Sequence, residues 1–324
     1  MNKKEIISQN LDHTLKEAFF SELPNYYRGK VRENYDLDDG QRILIATDRQ
    51  SAFDVILTEV PFKGQVLTEI SKFWFEKTVD IVKNHVIEFP DPNVVVVKKV
   101  RVLPIEIVVR AYLTGTTTTS SWWHYQNNNR IICGLEMPAG MKKNEAFAAP
   151  IITPTTKDFS GGHDMPISVK EIIEQEIVSQ ETWEKIARIS LELFKRGTEI
   201  AAQNGLILVD TKYEIGEDEK GEIILVDEIH TPDSSRFWMA DSYRDRMQAG
   251  KEPESLDKEF LRLFLSEQGF VGEGEIPTIP PEKLIDFSAK YIALYEKVTG
   301  KDFIFPDFNL PVKDRIKSNL QEYF

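Results

Sequence analysis

Residues 206–238 read LILVDTKYEIGEDEKGEIILVDEIHTPDSSRFW, and this stretch decides the fold of the chain. It holds two apolar, β-branched runs, at 206–209 and 223–226, with a polar segment between them. That pattern predicts a β-hairpin. We expect its tight turn at Lys220-Gly221, because glycine adopts a positive φ at little steric cost.

The pairing of the two strands follows from the turn. Counting back from a two-residue turn places Glu214 opposite Asp227. Side chains alternate along a strand, so Asp210, Lys212 and Glu214 share one face. Two facing carboxylates repel each other, and a hard divalent cation with oxygen ligands, above all Mg²⁺, would relieve that repulsion and hold nucleotide phosphates. The alternative is a solvated hairpin face without a ligand.

The segment after the hairpin, TPDSSR at 231–236, adds a rigid turn that carries the anion-binding guanidinium of Arg236. Together with the paired acids, it predicts a metal–phosphate site.

The composition is that of a globular protein of about two domains, with 324 residues, 41% hydrophobic and 29% charged. The net charge of −13 argues against a broad surface for nucleic acid or anionic membranes. Cys133 is the single cysteine, which excludes an internal disulfide. The first ten residues lack the apolar core of a signal peptide, and no apolar run approaches the length of a membrane span. These features predict a cytoplasmic location.

Basic residues surround a glycine in YYRGKVRENYD, residues 26–36. The segment predicts two strands with a tight approach at Gly29, and Lys30 and Arg32 suit a loop that covers phosphates. Neither the dinucleotide-binding nor the Walker glycine pattern is present, so an ordinary basic hairpin is the alternative.

Three further stretches carry candidate binding residues. The polar turn DRQSAFD at 48–54 offers Asp48 and Ser51 to substrate hydroxyls, although such segments are often only turns. The β-branched runs at 94–97 and 100–103 predict buried strands that could line an adenine pocket. Arg110 ends an apolar run before a Gly/Thr-rich turn, which suits a bidentate clamp on a phosphate or carboxylate. The alternative is a structural arginine paired with a neighbouring acid.

Helical periodicity accounts for most of the remaining chain. We expect two helices within 168–203, broken near Ser179 and stopped at Asn204-Gly205, and others at 64–84, 257–268, 281–299 and 312–323. The C-terminal third is expected to contribute packing and little chemistry.

Six sequence blocks, in a fixed order, resemble the SAICAR synthetase (phosphoribosylaminoimidazole-succinocarboxamide synthase) family of purine biosynthesis. They are VLPIEIVVRAYLTGT at 102–116, LVDTKYEIG at 208–216, GKVRENYD at 29–36, DRQSAFD at 48–54, TPTTK at 153–157 and DEIHTPDSSRFW at 227–238. Two positions depart from the family pattern. Thr116 replaces the usual serine and keeps a hydroxyl, and Ile215 replaces the usual phenylalanine on the face away from the charged set.

The resemblance implies an α+β fold with two lobes. An N-terminal antiparallel, β-rich lobe at residues 1–110, similar to the small lobe of kinases, would cover the nucleotide. A larger ATP-grasp-like lobe at residues 111–324 would follow, with helices at its C-terminus. The activity implied is an ATP-dependent ligase that joins L-aspartate to 5-amino-1-(5-phospho-ribosyl)imidazole-4-carboxylate (CAIR), through an acyl phosphate, and releases ADP and phosphate. A fused carboxylase domain is not expected.

The same resemblance assigns roles to individual residues. The ATP-binding positions would be Gly29, Lys30, Val31, Arg32, Val97, Val102 and Glu106. Glu214 and Asp227 would hold Mg²⁺, and Lys212 would stabilise the transferring phosphoryl group. Asp210 would orient Lys212 or accept an amine proton, and both roles stay open. The substrate-binding positions would be Asp48, Ser51, Arg110, Thr116, Asp233 and Arg236.

Two other classes of function share some of these features. A kinase would share the nucleotide lobe, but its H-R-D and D-F-G elements are missing from the sequence. A non-catalytic nucleotide-binding module would need neither Lys212 nor Arg236. The expected partners are therefore small-molecule substrates, with neither nucleic acid nor a membrane.

Overall fold

A computed structural model describes residues 2–53, 55–157 and 164–324 of the protein. Its strands pair in antiparallel sheets. The strands are β1 (Tyr26–Arg28), β2 (Arg32–Asp36), β3 (Gln41–Ala46), β4 (Arg49–Ala52), β5 (Val55–Glu59), β6 (Val86–Asp91), β7 (Val94–Lys98), β8 (Arg101–Leu113), β9 (Ile131–Ile132), β10 (Leu135–Glu136), β11 (Glu145–Ile152), β12 (Thr155–Thr156), β13 (Leu206–Glu217), β14 (Ile223–Val226) and β15 (Ser235–Met239). The α-helices are α1 (Lys3–Gln9), α2 (Lys63–Thr78), α3 (Ser121–Gln126), α4 (Val169–Glu174), α5 (Gln180–Gln203), α6 (Ala240–Gln248), α7 (Glu259–Glu267), α8 (Pro281–Thr299) and α9 (Val312–Asn319).

The N-terminal sheet has the strand order β1-β2-β3-β7-β6. Alternation turns Ile43 and Val96 to one face, where they pack against Phe20 of the N-terminal segment and Ile316 of α9. Leu44 lies on the opposite face and lines a small recess beside Arg32 and Asp227.

The second sheet has the order β11-β8-β13-β14, and β12 and β15 add to β8 and β13. One of its faces packs on the main core, to which α2, α5 and α8 also contribute. On β8 the odd-numbered residues from Leu103 to Val109 are buried in that core. Alternation therefore places Glu106 and Arg110 on the opposite face, which carries the charged groups described below.

A register irregularity in β13 decides which of its side chains reach that charged face. Leu206 and Leu208 belong to the core, but so do Tyr213 and Ile215, which have the opposite parity. The pairing with β15 shifts between Leu208 and Asp210, and an extra residue of this kind re-aims the side chains that follow it. The prediction that Ile215 faces away from the charged set is confirmed.

Several helix boundaries follow local signals in the sequence. The predicted break before α5 is confirmed, since the Ser179 side chain caps this helix by accepting from the Thr182 N–H. Gly205 and Gly300 end α5 and α8 with φ of +69°. The expected helix at 64–84 ends earlier, at Thr78. The α+β fold class is confirmed.

The predicted register of the β13–β14 hairpin is wrong by one residue. Glu214 pairs with Val226, not with Asp227. The connecting loop is longer than two residues because the Asp218 side chain accepts from the backbone N–H groups of Lys220 and Glu222, both at 2.9 Å. Asp227 follows the end of β14 and has a φ of +64°, so the chain leaves the ladder there.

Two other sequence predictions concern the whole chain. The division after Arg110 falls within β8, and the division into two domains stays a prediction. Within residues 2–53, 55–157 and 164–324, none of the helices has the length and apolar character needed for a membrane crossing.

Candidate active site

β13 is the centre of the candidate site, because it lies between β8 and β15 and contributes charged residues to the face away from the core. Asp210 pairs across the ladders with Arg110 on β8 and with Arg236 on β15. Four positions further along β13, Glu214 pairs with Glu106 on β8. Two charged clusters therefore form along the strand, a basic one around Asp210 and an acidic one around Glu214.

At the first cluster, one carboxylate is shared by two arginines. Arg110 donates from Nη1 to the Asp210 carboxylate at 3.2 Å, and Arg236 donates to the same oxygen. Arg110 also donates from Nε to the Thr153 hydroxyl at 2.8 Å. All three charged side chains are at least 88% buried, so the shared carboxylate fixes both guanidinium groups in place. We call Arg110, Asp210 and Arg236 the arginine clamp.

A cavity of about 240 Å³ opens on this clamp. Besides the clamp it brings together Lys212 and Asp233, both predicted site residues, with Lys258 and Arg262. The further lining residues are Val108, Thr117, Thr119, Ser120, Thr211, Ser234, Ser235 and Asp257. Cations outnumber acids on its walls, so the cavity suits an anionic ligand.

Sequence reasoning missed the residues at the start of α7, of which Lys258 and Arg262 line this cavity. Glu259 accepts from the Thr116 hydroxyl at 2.8 Å and pairs with Arg262 at 3.3 Å and with Arg236 at 3.5 Å. Burial alone would raise the pKa of Glu259, but Arg236 and Arg262 outweigh it and lower the pKa to about 2. The C-terminal third therefore contributes charged side chains to the cavity wall as well as packing, and its expected small share in the chemistry stays a prediction.

Two neighbouring groups of the cavity titrate near neutrality. Burial lowers the pKa of Lys258 to about 8, and the positive charge of Arg262 adds to the effect. Burial also raises the pKa of Asp257 to about 7, against the hydrogen bonds that its carboxylate accepts from the N–H groups of Phe237 and Glu259.

At the second cluster, one ammonium lies between two carboxylates. Lys212 Nζ pairs with Glu106 and, at 3.3 Å, with Glu214. Lys157 contacts the same two glutamates, Glu214 closely and Glu106 at 3.9 Å. Burial opposes the charge on Lys212, but the two glutamates outweigh it and raise the pKa of Lys212 above its usual range. The acid that faces Glu214 is Glu106 and not Asp227, and the cation between the facing pair is the Lys212 ammonium. The divalent cation expected at Glu214 and Asp227 stays a prediction.

Arg32 of the N-terminal sheet extends this cluster by pairing with both Asp227 and Glu228. Burial would raise the pKa of Asp227, but Arg32 outweighs this effect and holds the pKa below its usual range. We call the four carboxylates the acidic cluster, formed by Glu106, Glu214, Asp227 and Glu228. In the described part of the chain, no three His, Cys, Asp or Glu side chains are grouped so that they alone could hold a metal ion.

The glycine loop at 29–32 lies beside the acidic cluster, since Arg32 belongs to both. The Gly29 N–H donates to the Arg32 carbonyl at 2.8 Å, which makes the loop a tight turn. A side chain on Gly29 would approach that carbonyl to 3.2 Å. Lys30 and Val31 form the tip of the loop, while Val97 is buried on β7 and Val102 pairs with Gly216 of β13.

The remaining predicted residues lie around these two clusters. The Asp233 carboxylate pairs with Lys63 at 2.8 Å and accepts from the Tyr291 hydroxyl at 2.7 Å. Burial would raise the pKa of Asp233, but Lys63 outweighs it and lowers the pKa to about 2.

Three predicted substrate-binding residues, Asp48, Ser51 and Thr116, are not among the described residues that line the cavity. Asp48 accepts from the N–H groups of Leu15 at 2.7 Å and Gly64 at 2.9 Å, which ties it to the start of α2. Ser51 lies in the β4–β5 ribbon. The substrate roles of all three stay predictions.

Comparison with known proteins relates this geometry to a family. The sequence model described as SAICAR synthetase matches residues 25–277, which is more than half of the chain. The chain belongs to the SAICAR synthetase family. The predicted family is thereby confirmed.

Individual relatives match over nearly their whole length. The phosphoribosylaminoimidazole-succinocarboxamide synthase of Legionella pneumophila (strain Paris) is 50% identical over 92% of this chain and 95% of its own. A protein of Agrobacterium fabrum with a provisional form of the same name is 53% identical over 96% of this chain and 98% of its own. The predicted enzyme class, a phosphoribosylaminoimidazole-succinocarboxamide synthase of purine biosynthesis, is confirmed.

Solved structures of SAICAR synthetases share the fold. The enzyme of Saccharomyces cerevisiae in complex with SAICAR superposes with a TM-score of 0.77 and is 34% identical, over 90% of this chain and 100% of that one. A SAICAR synthetase in complex with ADP has a TM-score of 0.67 and 25% identity, over 87% of this chain and 100% of that one.

Proposed function

We propose that this SAICAR synthetase joins L-aspartate to CAIR with the consumption of ATP, releasing ADP and phosphate. The observation that carries the proposal is the arrangement on β13, where a basic cavity and an acidic cluster lie next to each other on one strand. The relatives bound to SAICAR and to ADP support the binding of this product and of a nucleotide.

The reaction explains why both kinds of charge are needed. A carboxylate is a poor acyl donor, so an oxygen of the CAIR carboxylate first attacks the γ-phosphorus of ATP and ADP leaves. The aspartate amine then attacks the carbonyl carbon of the acyl phosphate, a C–N bond forms, and phosphate leaves while the nitrogen loses a proton. Phosphoryl transfer to an anion requires positioning and neutralisation of charge more than covalent help from the protein.

The arginine clamp is proposed to hold the ribonucleotide. Arg110 and Arg236 present planar guanidinium groups, which match a phosphate or carboxylate in a bidentate way. Asp210 accepts from both arginines, so we assign it the orientation of the clamp as its supported role. Thr116 would support the clamp indirectly, because its hydroxyl donates to Glu259, and Glu259 also pairs with Arg236.

The cavity also offers cations for the carboxylates of aspartate. The sequence did not identify these cationic residues. Lys258 and Arg262 line the cavity where α7 begins. We propose that they receive L-aspartate. Asp233 is held by Lys63 and Tyr291 at the same cavity, where a fixed carboxylate suits a hydrogen bond to a substrate hydroxyl or amine.

The acidic cluster fits Mg²⁺. Its donors are carboxylate oxygens, and Mg²⁺ in nucleotide sites is usually held by one or two carboxylates together with substrate phosphates. We propose Glu214 and Asp227 as its protein ligands, with Arg32 and Lys157 moving from these acids to the phosphates. When bound, Mg²⁺ would neutralise phosphate charge and align the γ-phosphate.

The nucleotide is proposed to lie between the two sheets. Gly29, Lys30, Val31 and Arg32 would cover its phosphates, and Val97 and Val102 would frame the adenine. Glu106 would act through Lys212, whose ammonium it holds beside the acidic cluster. Lys212 also lines the basic cavity, so it lies where the phosphoryl group would pass from ATP to CAIR.

A substrate-omission assay tests this function. ADP formation should require ATP, CAIR, L-aspartate and Mg²⁺ together, and the product should contain aspartate. ADP formed with CAIR alone at the full rate would indicate a kinase, and binding of ATP without turnover would indicate a nucleotide-binding module. The cytoplasmic location and the absence of a fused carboxylase domain stay predictions.

A further inference from the structure

Arg49, the first residue of β4, lies beneath the glycine loop and contacts it from the protein interior. Its side chain is 2% exposed. It donates from Nε to the Lys30 carbonyl and from Nη2 to the Gly29 carbonyl, both at 3.0 Å. Nη1 pairs with Glu33 at 2.5 Å. Because a guanidinium is a planar fork of five donors, one side chain fixes several loop carbonyls at once.

The other two carbonyls of the loop are also held. The Val31 carbonyl accepts from the Thr47 N–H at 3.0 Å and from the Thr47 hydroxyl at 2.8 Å. The Arg32 carbonyl accepts from the Gly29 N–H at 2.8 Å and from Arg49 at 3.4 Å. Each carbonyl of residues 29–32 therefore has a donor from the loop itself or from the segment that begins β4.

Fixing these carbonyls also fixes the direction of the loop N–H groups. In a planar trans peptide the carbonyl and the following N–H point in opposite directions. Arg49 holds the carbonyls of Gly29 and Lys30, so the N–H groups of Lys30 and Val31 point away from it. Successive N–H groups directed to one side form a concave site for anions.

We propose that Arg49 is a positioning residue for the nucleotide, which keeps the carbonyls of residues 29–32 away from the phosphates and aims the loop N–H groups at them. The inference rests on the proposed role of this loop in covering ATP phosphates. Arg49 acts through the backbone and does not touch the nucleotide itself, so its effect should appear in nucleotide affinity before it appears in turnover.

The test is Arg49→Lys, which keeps a positive charge beside Glu33 but cannot reach the carbonyls of Gly29 and Lys30 together. We expect the KM for ATP and the Kd for ADP to rise about tenfold to a hundredfold, as for the loss of charge-assisted hydrogen bonds. The KM for CAIR should not change, and kcat at saturating ATP should stay within about twofold. Steady-state kinetics and calorimetric titration of ADP measure these quantities.

Arg315→Lys is the matched control for a weakened N-terminal sheet. Arg315 of α9 makes a bidentate pair with Asp91, both contacts at 2.9 Å, so this variant loses a similar fork away from the loop. It should lower the melting temperature and leave the KM for ATP unchanged.

A milder pair of variants tests the same idea where Arg49→Lys fails to fold. Thr47→Val removes only the hydroxyl donor to the Val31 carbonyl and should raise the KM for ATP about twofold to tenfold. Thr47→Ser keeps the hydroxyl and should restore the wild-type value.

Two results would overturn the inference. One is unchanged ATP and ADP affinity in the folded variants at both Arg49 and Thr47. The other is an equal rise in the KM for ATP and for CAIR, which indicates general loosening of the fold. Turnover of the wild-type enzyme without any need for ATP is a separate result, and it would overturn the proposed function on which this inference rests.

Discussion

The two charged clusters on β13 have opposite designs. In the arginine clamp one carboxylate, Asp210, lies between two guanidinium groups. Two positions further along the strand, one ammonium, Lys212, lies between the carboxylates of Glu106 and Glu214. Residues 210 and 212 are about 7 Å apart along an extended strand, so one substrate molecule can contact both clusters.

The difference teaches how one strand serves two anions. In the clamp one carboxylate holds two guanidinium groups together, and in the acidic cluster Lys212, Lys157 and Arg32 hold together four carboxylates that would otherwise repel one another in a buried setting. The majority charge remains for the ligand, so the clamp suits the ribonucleotide and the acidic cluster suits the cation of the nucleotide. We therefore expect changes in the clamp to alter binding and changes at Lys212 to alter turnover.

Lys212→Met should have the largest effect. The ammonium lies between the acidic cluster and the cavity, where charge on the transferring phosphoryl group would develop. If its contact strengthens in the transition state, the variant should fold and bind ATP but lose roughly 10²–10³ in turnover, as when one preorganised electrostatic donor is removed. Turnover per folded, nucleotide-bound molecule is the quantity to measure.

Lys157→Met provides the comparison for that variant, since it removes the other ammonium from the same two glutamates. If Lys212 is only a counter-ion, both variants should lower the melting temperature and the metal affinity alike. A near-normal rate for folded Lys212→Met would contradict the catalytic role.

Arg110→Lys and Arg236→Lys should have the next largest effects. An ammonium cannot reproduce the bidentate fork or its bond to Asp210, so each variant should raise the KM for CAIR. The loss of one charge-assisted contact costs roughly 1.5–3 kcal/mol, or about tenfold to a hundredfold in binding. Arg196→Lys, at an exposed bidentate pair with Asp80, is the control. Unchanged CAIR dependence in both clamp variants would mean that the two arginines serve the fold.

Local patterns in the sequence predicted the elements that carry these clusters. The strands β13 and β14 follow from β-branched runs, and the boundaries of α5 follow from Ser179 and Gly205. The register did not follow, because the Asp218 side chain accepts backbone N–H groups and lengthens the loop. A side-chain contact of that kind leaves no periodic signal.

Long-range pairing explains why other parts of the site could not be predicted. Glu106 and Glu214 face each other from strands about a hundred residues apart in the chain, so neither the pair nor the place of Lys212 between them is visible locally. Lys258 and Arg262 are spaced like the exposed face of a helix, and only the tertiary structure turns them to the cavity.

Glu214→Gln should have a smaller effect, confined to the metal. Removal of one anionic ligand should reduce the tightening of nucleotide binding by Mg²⁺ about tenfold, with little change in stability. ADP titrations with and without Mg²⁺ give this quantity. Glu217→Gln is the matched control, since Glu217 lies on the same strand and pairs with Arg101 away from the cluster. Equal Mg²⁺ dependence in the two variants would remove Glu214 from the metal site.

The smallest effect is a pH dependence of the basic cavity. Protonated Lys258 attracts an anion and neutral Lys258 does not. The affinity of the cavity for an anionic substrate should therefore be full below the pKa of Lys258, which is about 8, and should fall as the pH rises through that value. The loss in affinity for CAIR or L-aspartate should be about fourfold between pH 7 and 8.5. A phosphate group is already doubly ionised in this range, since its second pKa is about 6.

Other charged groups face Lys258, and they set the control for this pH dependence. Arg262, Asp233, Glu228 and Lys212 face it. Despite burial, Lys63 lowers the pKa of Asp233 to about 2 and the glutamates raise that of Lys212, so these two groups keep their charge across this range. Asp257 ionises at a pKa of about 7 and also disfavours anions as the pH rises. Lys258→Arg keeps Asp257 and remains charged, so the difference between its profile and that of the wild type isolates Lys258. We expect the variant to lose the decline above pH 8 and keep only the shallower change near pH 7. Identical profiles for the two enzymes would show that Lys258 does not meet the substrate.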